Sequence, residues 1–125
     1  MKSRDEHLKQ AKNNENFADS QLQTAQTDAL TWAVTALFYS AAHYGRAYVV
    51  VSGATTITSH VGFESYFHRC WTTKPDIFPL YRRLKDDSEA GRYDCVSYSA
   101  SEVVHLRDNY LVPFRDAARA ALGLS

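Results

Sequence analysis

The chain has 125 residues, in which fourteen lysines and arginines balance fourteen aspartates and glutamates, so the formal net charge at pH 7 is zero. This length fits a single domain, residues 1–125, that can bury a core. The charge balance excludes an overall attraction to nucleic acid or to an acidic membrane, and RNA binding would need a local basic cluster. No basic and apolar leader opens the chain, and we expect a cytoplasmic protein.

The first predicted element is a helix over residues 4–22. Ser3 and Glu6 have the spacing of a capping box, in which a serine hydroxyl and a glutamate three residues later satisfy backbone N–H groups at a helix start. An imperfect apolar stripe follows at helical spacing and consists of Leu8, Ala11, Phe17, Ala18 and Leu22.

The second predicted element, residues 29–52, carries most of the information in the sequence. It contains one charged residue, Arg46, and apolar residues lie on nearly every side of it, which is typical of a helix buried all round. Asp28 is a suitable N-cap and Gly53 a suitable C-terminal stop. The element is long enough to span a bilayer, but its arginine, histidine, hydroxyls and tyrosines argue against a membrane location.

Two shorter helices are predicted in the middle of the chain. One covers residues 60–71, with Ser59 as its cap, and ends before Pro75. The other has Asp76 as its cap, tolerates Pro79 in its first turn, and weakens at Gly91.

The last predicted helix starts at Ser99 or Ser101 and ends at Gly123. Its apolar residues recur at steps of three or four, and Pro113 inside that pattern predicts a kink near residues 109–113. No β alternation is present. The sequence therefore predicts an all-α protein, an up-and-down bundle of four to five helices with antiparallel neighbours.

The two cysteines, Cys70 and Cys95, form no C-x-x-C pair and no zinc pattern. We expect both to be buried as small apolar residues, and a disulfide between them is the alternative. The sequence lacks a glycine-rich phosphate loop and any carboxylate–histidine cluster with metal spacing, so no metal or cofactor is predicted.

His43 and Arg46 form the first candidate site, because residues three apart share one face of a helix. The pair could hold a phosphate or an acid across a dimer interface. The alternative is that Arg46 pairs with an aspartate or glutamate of the fourth or fifth helix, since a core arginine is rarely left without a counter-charge.

His60, His68 and Arg69 form a second candidate site, on the predicted third helix. Two imidazoles and a guanidinium near one phosphate could cleave RNA, the imidazoles moving protons and the guanidinium stabilising charge. The alternative is a solvated helix face with a capping histidine.

The densest basic run contains Arg82, Arg83 and Lys85, with Arg92 further on. Arg82 and Arg83 are candidate phosphate ligands. The alternative is that the acidic residues that follow at once, Asp86, Asp87 and Glu89, neutralise the run through local pairs.

The segment ALFYSAAHYGRAY (36–48), a loop, Ser59-His60 and the later Gly91-Arg92-Tyr93 resemble the HEPN domain family. The resemblance implies a helical bundle, frequent homodimers and a role in prokaryotic toxin–antitoxin or antiphage systems. Many members of that family are metal-independent ribonucleases, and others are inactive partners of nucleotidyltransferases or binding modules.

The chain departs from the pattern of the catalytic members, which carry an arginine, four to six residues, and then a histidine. No arginine here has a histidine at that distance downstream. The leading hypothesis is therefore a dimeric, non-catalytic HEPN-like domain that binds a nucleotide, RNA or a partner protein encoded nearby. A divergent metal-independent endoribonuclease and a helical interaction domain without a nucleic-acid role are the alternatives.

Overall fold

A computed structural model of the chain describes residues 2–24, 26–51, 62, 65, 69 and 77–124. These residues form four helices and no strand: α1 is Arg4–Thr24, α2 is Thr27–Val51 and α3 is Phe78–Tyr93. The last helix, α4, comprises Ala100–Leu106, a π-helical segment Arg107–Leu111, and Val112–Ala121. The all-α prediction is confirmed. Four helices are delimited in the described residues, where the sequence predicted four to five, and Gly62, Ser65 and Arg69 of the predicted helix 60–71 are helical as well.

The capping box predicted at the start of α1 is present. The Ser3 hydroxyl accepts from the Glu6 backbone N–H at 3.2 Å, and the Glu6 carboxylate accepts from the Ser3 N–H at 3.1 Å. These reciprocal bonds satisfy donors that have no partner inside the helix. They also hold the pKa of the Glu6 carboxyl below its usual value.

Helix α2 is the central element, and the other helices pack around it in alternating directions. The Ser40 hydroxyl donates to the Ala11 carbonyl of α1 at 2.8 Å, and the His7 and His43 rings meet nearer the start of α1, so α1 and α2 are antiparallel. Ring contacts of Tyr81 with Phe38 of α2 and Phe114 of α4 join three helices across the core. An up-and-down order of the whole bundle stays a prediction, because most of the predicted helix 60–71 lies outside the described residues.

The core follows the apolar residues of α2 closely, with one exception. Leu37, Val34 and Val49 are fully buried, together with Leu84 of α3. Trp32, however, is 56% exposed, so the expectation that α2 is buried all round is wrong near its N-terminal end. The α3–α4 connection approaches this part of α2 without covering the indole, and a cleft results.

Helix α3 begins at Phe78, with Pro79 in its first turn as predicted. Its N-cap position is occupied by Ile77, with no side-chain cap hydrogen bond, so the prediction that Asp76 caps this helix is wrong. It continues through Gly91 to Tyr93. A Cβ on Gly91 would lie 3.1 Å from the Thr31 methyl of α2, so this glycine permits a close approach of the two helices rather than weakening the end of α3.

After α3 the chain turns through Cys95, which has a φ of 59°. This left-handed conformation favours glycine, and it places the thiol on the surface. The prediction that Cys95 is buried is therefore wrong, and its thiol is not in a disulfide. Cys70 lies outside the described residues.

Helix α4 starts at Ser99 with a second capping box, formed with Glu102. Because Pro113 has no N–H, the carbonyl four residues earlier, at Asn109, loses its donor. The backbone shifts to i→i−5 bonding there, with the Val112 N–H donating to the Arg107 carbonyl. The predicted kink is thus a π-helical segment, and Gly123 ends the helix region with a φ of 77°.

A buried carboxylate joins α1, α2 and α4. Glu15 is 6% exposed and accepts from Lys12, from the Tyr44 hydroxyl and from Arg115 of α4. Burial, together with the Glu15 charge, raises the pKa of Tyr44 to about 12. This cluster fixes α4 against the first two helices.

Several sequence predictions fall outside the described residues, namely Gly53, Ser59 and most of the predicted helix 60–71. Within that helix Gly62, Ser65 and Arg69 are described and are helical. No helix in the described ranges is both long and apolar enough to cross a bilayer.

Candidate functional site

A cleft of about 700 Å³ opens between the N-terminal half of α2 and the C-terminal end of α3. We call it the Arg92 cleft and define it by six of the residues that line it: Asp28, Trp32, Thr35, Tyr39, Arg92 and Tyr93. This volume lies within the range of small-molecule sites, roughly 300–1,000 Å³.

Helical spacing explains why these side chains share one wall. Residues 28, 32, 35 and 39 follow one another at steps of three or four, so they lie along one stripe of α2. Helix α3 forms the opposite wall, held in place by the Ser88 hydroxyl, which donates to the Thr35 hydroxyl at 3.3 Å. Gly91 lets the two walls approach closely at Thr31.

The guanidinium of Arg92 is placed by three groups. Its Nε donates to the Ser88 carbonyl at 3.3 Å. Its Nη1 lies 3.3 Å from the Tyr39 hydroxyl and 3.4 Å from the Tyr93 hydroxyl. Its Cζ lies 5.8 Å from the Tyr39 ring centroid and 5.0 Å from that of Tyr93, within the range of cation–π attraction.

Arg92 is half-buried, yet it has no carboxylate partner among the described residues. Its Nη2, which carries two of the five guanidinium N–H donors, makes no hydrogen bond to any described residue. Other arginines lie within 4.0 Å of a carboxylate oxygen, namely Arg4, Arg82, Arg83, Arg107 and Arg115. Arg92 therefore presents positive charge and donors that this part of the chain does not satisfy.

Aromatic surface and one carboxylate complete the cleft. Trp32 is 56% and Tyr93 72% exposed, which is unusual for such large rings in a small domain. Asp28 is exposed, lies in the first turn of α2, and makes no hydrogen bond or ion pair within the described ranges. The cleft thus combines a cation, two open aromatic rings and a carboxylate.

The predicted phosphate ligands lie elsewhere, on two different helices. Arg83 of α3 donates to Asp87 at 2.6 Å and to the Tyr110 hydroxyl at 3.1 Å, and the bond to Asp87 raises the pKa of its guanidinium. Arg82 lies 4.0 Å from Asp86. The expected local pairing of this basic run is present, and a phosphate role for these residues stays a prediction.

His43 and Arg46 are half-buried on α2, where His43 meets a residue that the sequence did not single out. The Nδ1 atoms of His7 and His43 lie 3.0 Å apart, so one ring donates and the other accepts. Burial lowers the pKa of His7, and the charges of Arg46 and Lys2 lower it further. A phosphate role for His43 and Arg46 also stays a prediction.

Of the predicted catalytic residues, His60 and His68 lie outside the described residues. Arg69 is helical and exposed. The structure therefore does not place the three side chains relative to one another, and the ribonuclease site stays a prediction. In the described residues no group of three or more histidine, cysteine, aspartate or glutamate side chains could hold a metal ion.

The sequence indicated Arg92 only as part of a basic run and of the Gly91-Arg92-Tyr93 segment. Its partner Tyr39 is 53 residues away in the chain, and no spacing rule links the two. A usable signal was the stripe of polar and aromatic residues on the N-terminal half of an otherwise apolar α2.

No family model, no curated protein and no solved structure matches the chain.

Proposed function

We propose that this protein is a non-catalytic, HEPN-like helical module that binds a nucleotide unit in the Arg92 cleft. The unit is a nucleoside monophosphate, either free or within single-stranded RNA. The observation that carries the proposal is the half-buried Arg92 guanidinium, whose Nη2 has no partner in the described residues and which opens onto the cleft.

The positive end of the cleft suits a phosphate. A guanidinium presents donors in a planar fork that matches two phosphate oxygens, and charge-assisted bonds of this kind are about twice as strong as neutral ones. The two tyrosines hold the guanidinium before a ligand arrives, so less side-chain entropy is lost on binding. An anion bound at Arg92 would therefore meet a preorganised donor.

The aromatic surface suits a base. Stacking of a base on an aromatic side chain contributes about 1–3 kcal/mol, and it tolerates any base because every base has a π-face. Trp32 offers an exposed indole in the same cleft as Arg92, so one ligand can reach both. A phosphate joined to an aromatic base uses the two features together.

The chain has no net charge, so we expect its attraction to a nucleotide to come from the local contact at Arg92. For single-stranded nucleic acid, each neutralised phosphate contributes about −0.7 to the slope of log K against log salt concentration. We expect a slope near that of one phosphate, much shallower than that of a protein with an extended basic surface.

Kinship to the HEPN family and a role in toxin–antitoxin or antiphage systems belong to the same proposal. They are supported by the sequence resemblance, and the antiparallel helical bundle is compatible with them. A partner protein encoded nearby is part of the same proposal and rests on the sequence resemblance alone.

The binding test is equilibrium titration of the four nucleoside 5′-monophosphates and a ten-nucleotide single-stranded RNA at low salt. We expect Arg92→Gln and Trp32→Ala each to weaken binding about tenfold, while Arg119→Gln, a half-buried arginine of α4 outside the cleft, leaves it unchanged. Absence of binding by the parent protein, or unchanged binding by Arg92→Gln, would overturn the proposal and favour a pure interaction module.

The non-catalytic part of the proposal has its own test. The parent protein is incubated with RNA in a chelator, alongside His60→Ala, His68→Ala and Arg69→Ala variants. We expect no cleavage by any of them. Cleavage by the parent that the variants abolish would replace this part of the proposal with the divergent metal-independent ribonuclease.

A further inference from the structure

Resting on the proposed function, we infer that the Arg92 cleft prefers a guanine nucleotide. Asp28 lies at the opposite end of the cleft from Arg92, a placement that phosphate binding and base stacking alone do not require. Along the axis of α2, Trp32 lies between Asp28 and the level of the Arg92 guanidinium.

The contacts of Arg92 show how far along the axis of α2 its guanidinium lies. Its Nε donates to the Ser88 carbonyl, and the Ser88 hydroxyl donates to Thr35, so the guanidinium lies near the level of Thr35. Asp28 is seven residues earlier, a rise of about 10 Å along the helix axis. That separation is comparable to the length of a purine nucleoside monophosphate from its phosphorus to the far edge of its base.

Trp32 lies about midway between Asp28 and Thr35 along the axis of α2. It lies three residues before Thr35 and four residues after Asp28, so a base stacked on the indole directs its far edge towards the Asp28 carboxylate. The carboxylate is exposed and has no partner in the described part of the chain. The cleft therefore offers, in order, a phosphate donor, a stacking surface and a hydrogen-bond acceptor.

An acceptor-only group selects among the bases. The Watson–Crick edge of guanine carries two adjacent donors, N1–H and the N2 amino group, which match the two oxygens of a carboxylate as a guanidinium does. Adenine and cytosine each place an acceptor nitrogen beside their amino group, and uracil flanks its one N–H with two carbonyls. These acceptors face the carboxylate and are repelled, so guanine is favoured.

The test compares guanosine, adenosine, cytidine and uridine 5′-monophosphates, which carry the same phosphate and ribose. We expect the parent protein to bind the guanosine compound about tenfold more tightly than the others, as expected for one bidentate base contact. In Asp28→Asn, which presents one donor and one acceptor, this preference should shrink to less than threefold, roughly what the loss of such a contact removes. Affinity for inorganic phosphate should stay the same.

The matched control is Asp94→Asn, which removes an exposed carboxylate near the cleft that does not line it, and which should keep the preference. Equal affinity of the parent for all four nucleotides would overturn the guanine inference while leaving the proposed function in place. Equal weakening of all four in Asp28→Asn would also overturn it, because Asp28 would then support the fold. Failure of every nucleotide to bind would instead remove the proposed function.

Discussion

Arg115 of α4 holds both carboxylate oxygens of Glu15 in α1, with Nη1 at 3.3 Å from Oε1 and 3.2 Å from Oε2. The two residues are a hundred positions apart in the chain. Glu15 is nearly buried, and the Tyr44 hydroxyl of α2 also donates to it. The Glu15 carboxylate of α1 therefore binds polar side chains of both α2 and α4.

Replacing Glu15 by glutamine should lower the free energy of unfolding by about 1–3 kcal/mol, because Arg115 and Tyr44 would lose a charged acceptor inside the bundle. Denaturant titration followed by circular dichroism measures the change. The control is Asp116→Asn, which removes the more exposed carboxylate that also contacts Arg115 and should change stability by less than about 0.5 kcal/mol. Equal effects of the two substitutions would contradict the claim that Glu15 stabilises the packing of α1, α2 and α4.

The His7–His43 contact makes stability depend on pH. Since burial lowers the pKa of His7 below 6.5, the unfolded chain takes up this proton before the folded chain does. The unfolding free energy should therefore fall as the pH drops below about 6.5. Above neutrality His7 is neutral in both states, so its contribution should change little. Denaturant titrations between pH 5 and pH 8 measure the slope.

His7→Gln should flatten that slope, whereas His105→Gln, which changes an exposed histidine of α4, should leave it as in the parent. A parent-like slope in His7→Gln would show that other groups cause the acid sensitivity.

Gly91 gives a prediction with an internal control. Glycine to alanine in a helix ordinarily stabilises by up to about 1 kcal/mol, but here the new Cβ would lie 3.1 Å from the Thr31 methyl and 3.4 Å from the Tyr98 ring. We expect Gly91→Ala to destabilise by about 1 kcal/mol, within the range for overpacking. In a Thr31→Ser background, which removes the methyl and keeps the hydroxyl bound to the Thr27 carbonyl, the loss should largely disappear.

A double-mutant cycle from thermal unfolding measures this coupling. Additive effects of Gly91→Ala and Thr31→Ser would mean that the close approach of α2 and α3 at this point does not limit the side chain at position 91.

The sequence resemblance and the eight tyrosines predict a homodimer. Phe17 of α1 and Val51 at the end of α2, both outside the Arg92 cleft, are each about half exposed, which leaves apolar surface for such a contact. Light scattering at micromolar concentration should give twice the mass of one chain. A monomer mass under those conditions would contradict the prediction.

Local chemistry made much of the fold predictable. The predicted capping box at Ser3 depends on residues three apart, and the predicted disruption near Pro113 depends on one missing N–H. The predicted starts of α1 and α2, at residues 4 and 29, lie within two residues of the observed ones, although Asp28, the predicted N-cap of α2, lies inside its first turn. Such features need no knowledge of how the chain folds back on itself.

The candidate site was not predictable in the same way. The contact between Arg92 and Tyr39, like that between His7 and His43, joins residues far apart in the chain, and no short-range rule specifies either. Cys95 was misassigned because composition favours a buried cysteine, whereas a left-handed turn after α3 exposes it. The packing of distant helices decided the contacts of Arg92 and His7, and a local turn decided the exposure of Cys95.

The most direct measurement of the central claim follows side-chain N–H signals by nuclear magnetic resonance during titration with the four nucleoside 5′-monophosphates. The Arg92 Nε–H signal, assigned with Arg92→Lys, and the Trp32 indole signal, assigned with Trp32→Phe, should shift together with one dissociation constant. The Arg119 signal should stay in place. A stationary Arg92 signal at saturation, or shifts confined to Arg82 and Arg83, would contradict the account and place the phosphate on the basic run of α3 instead.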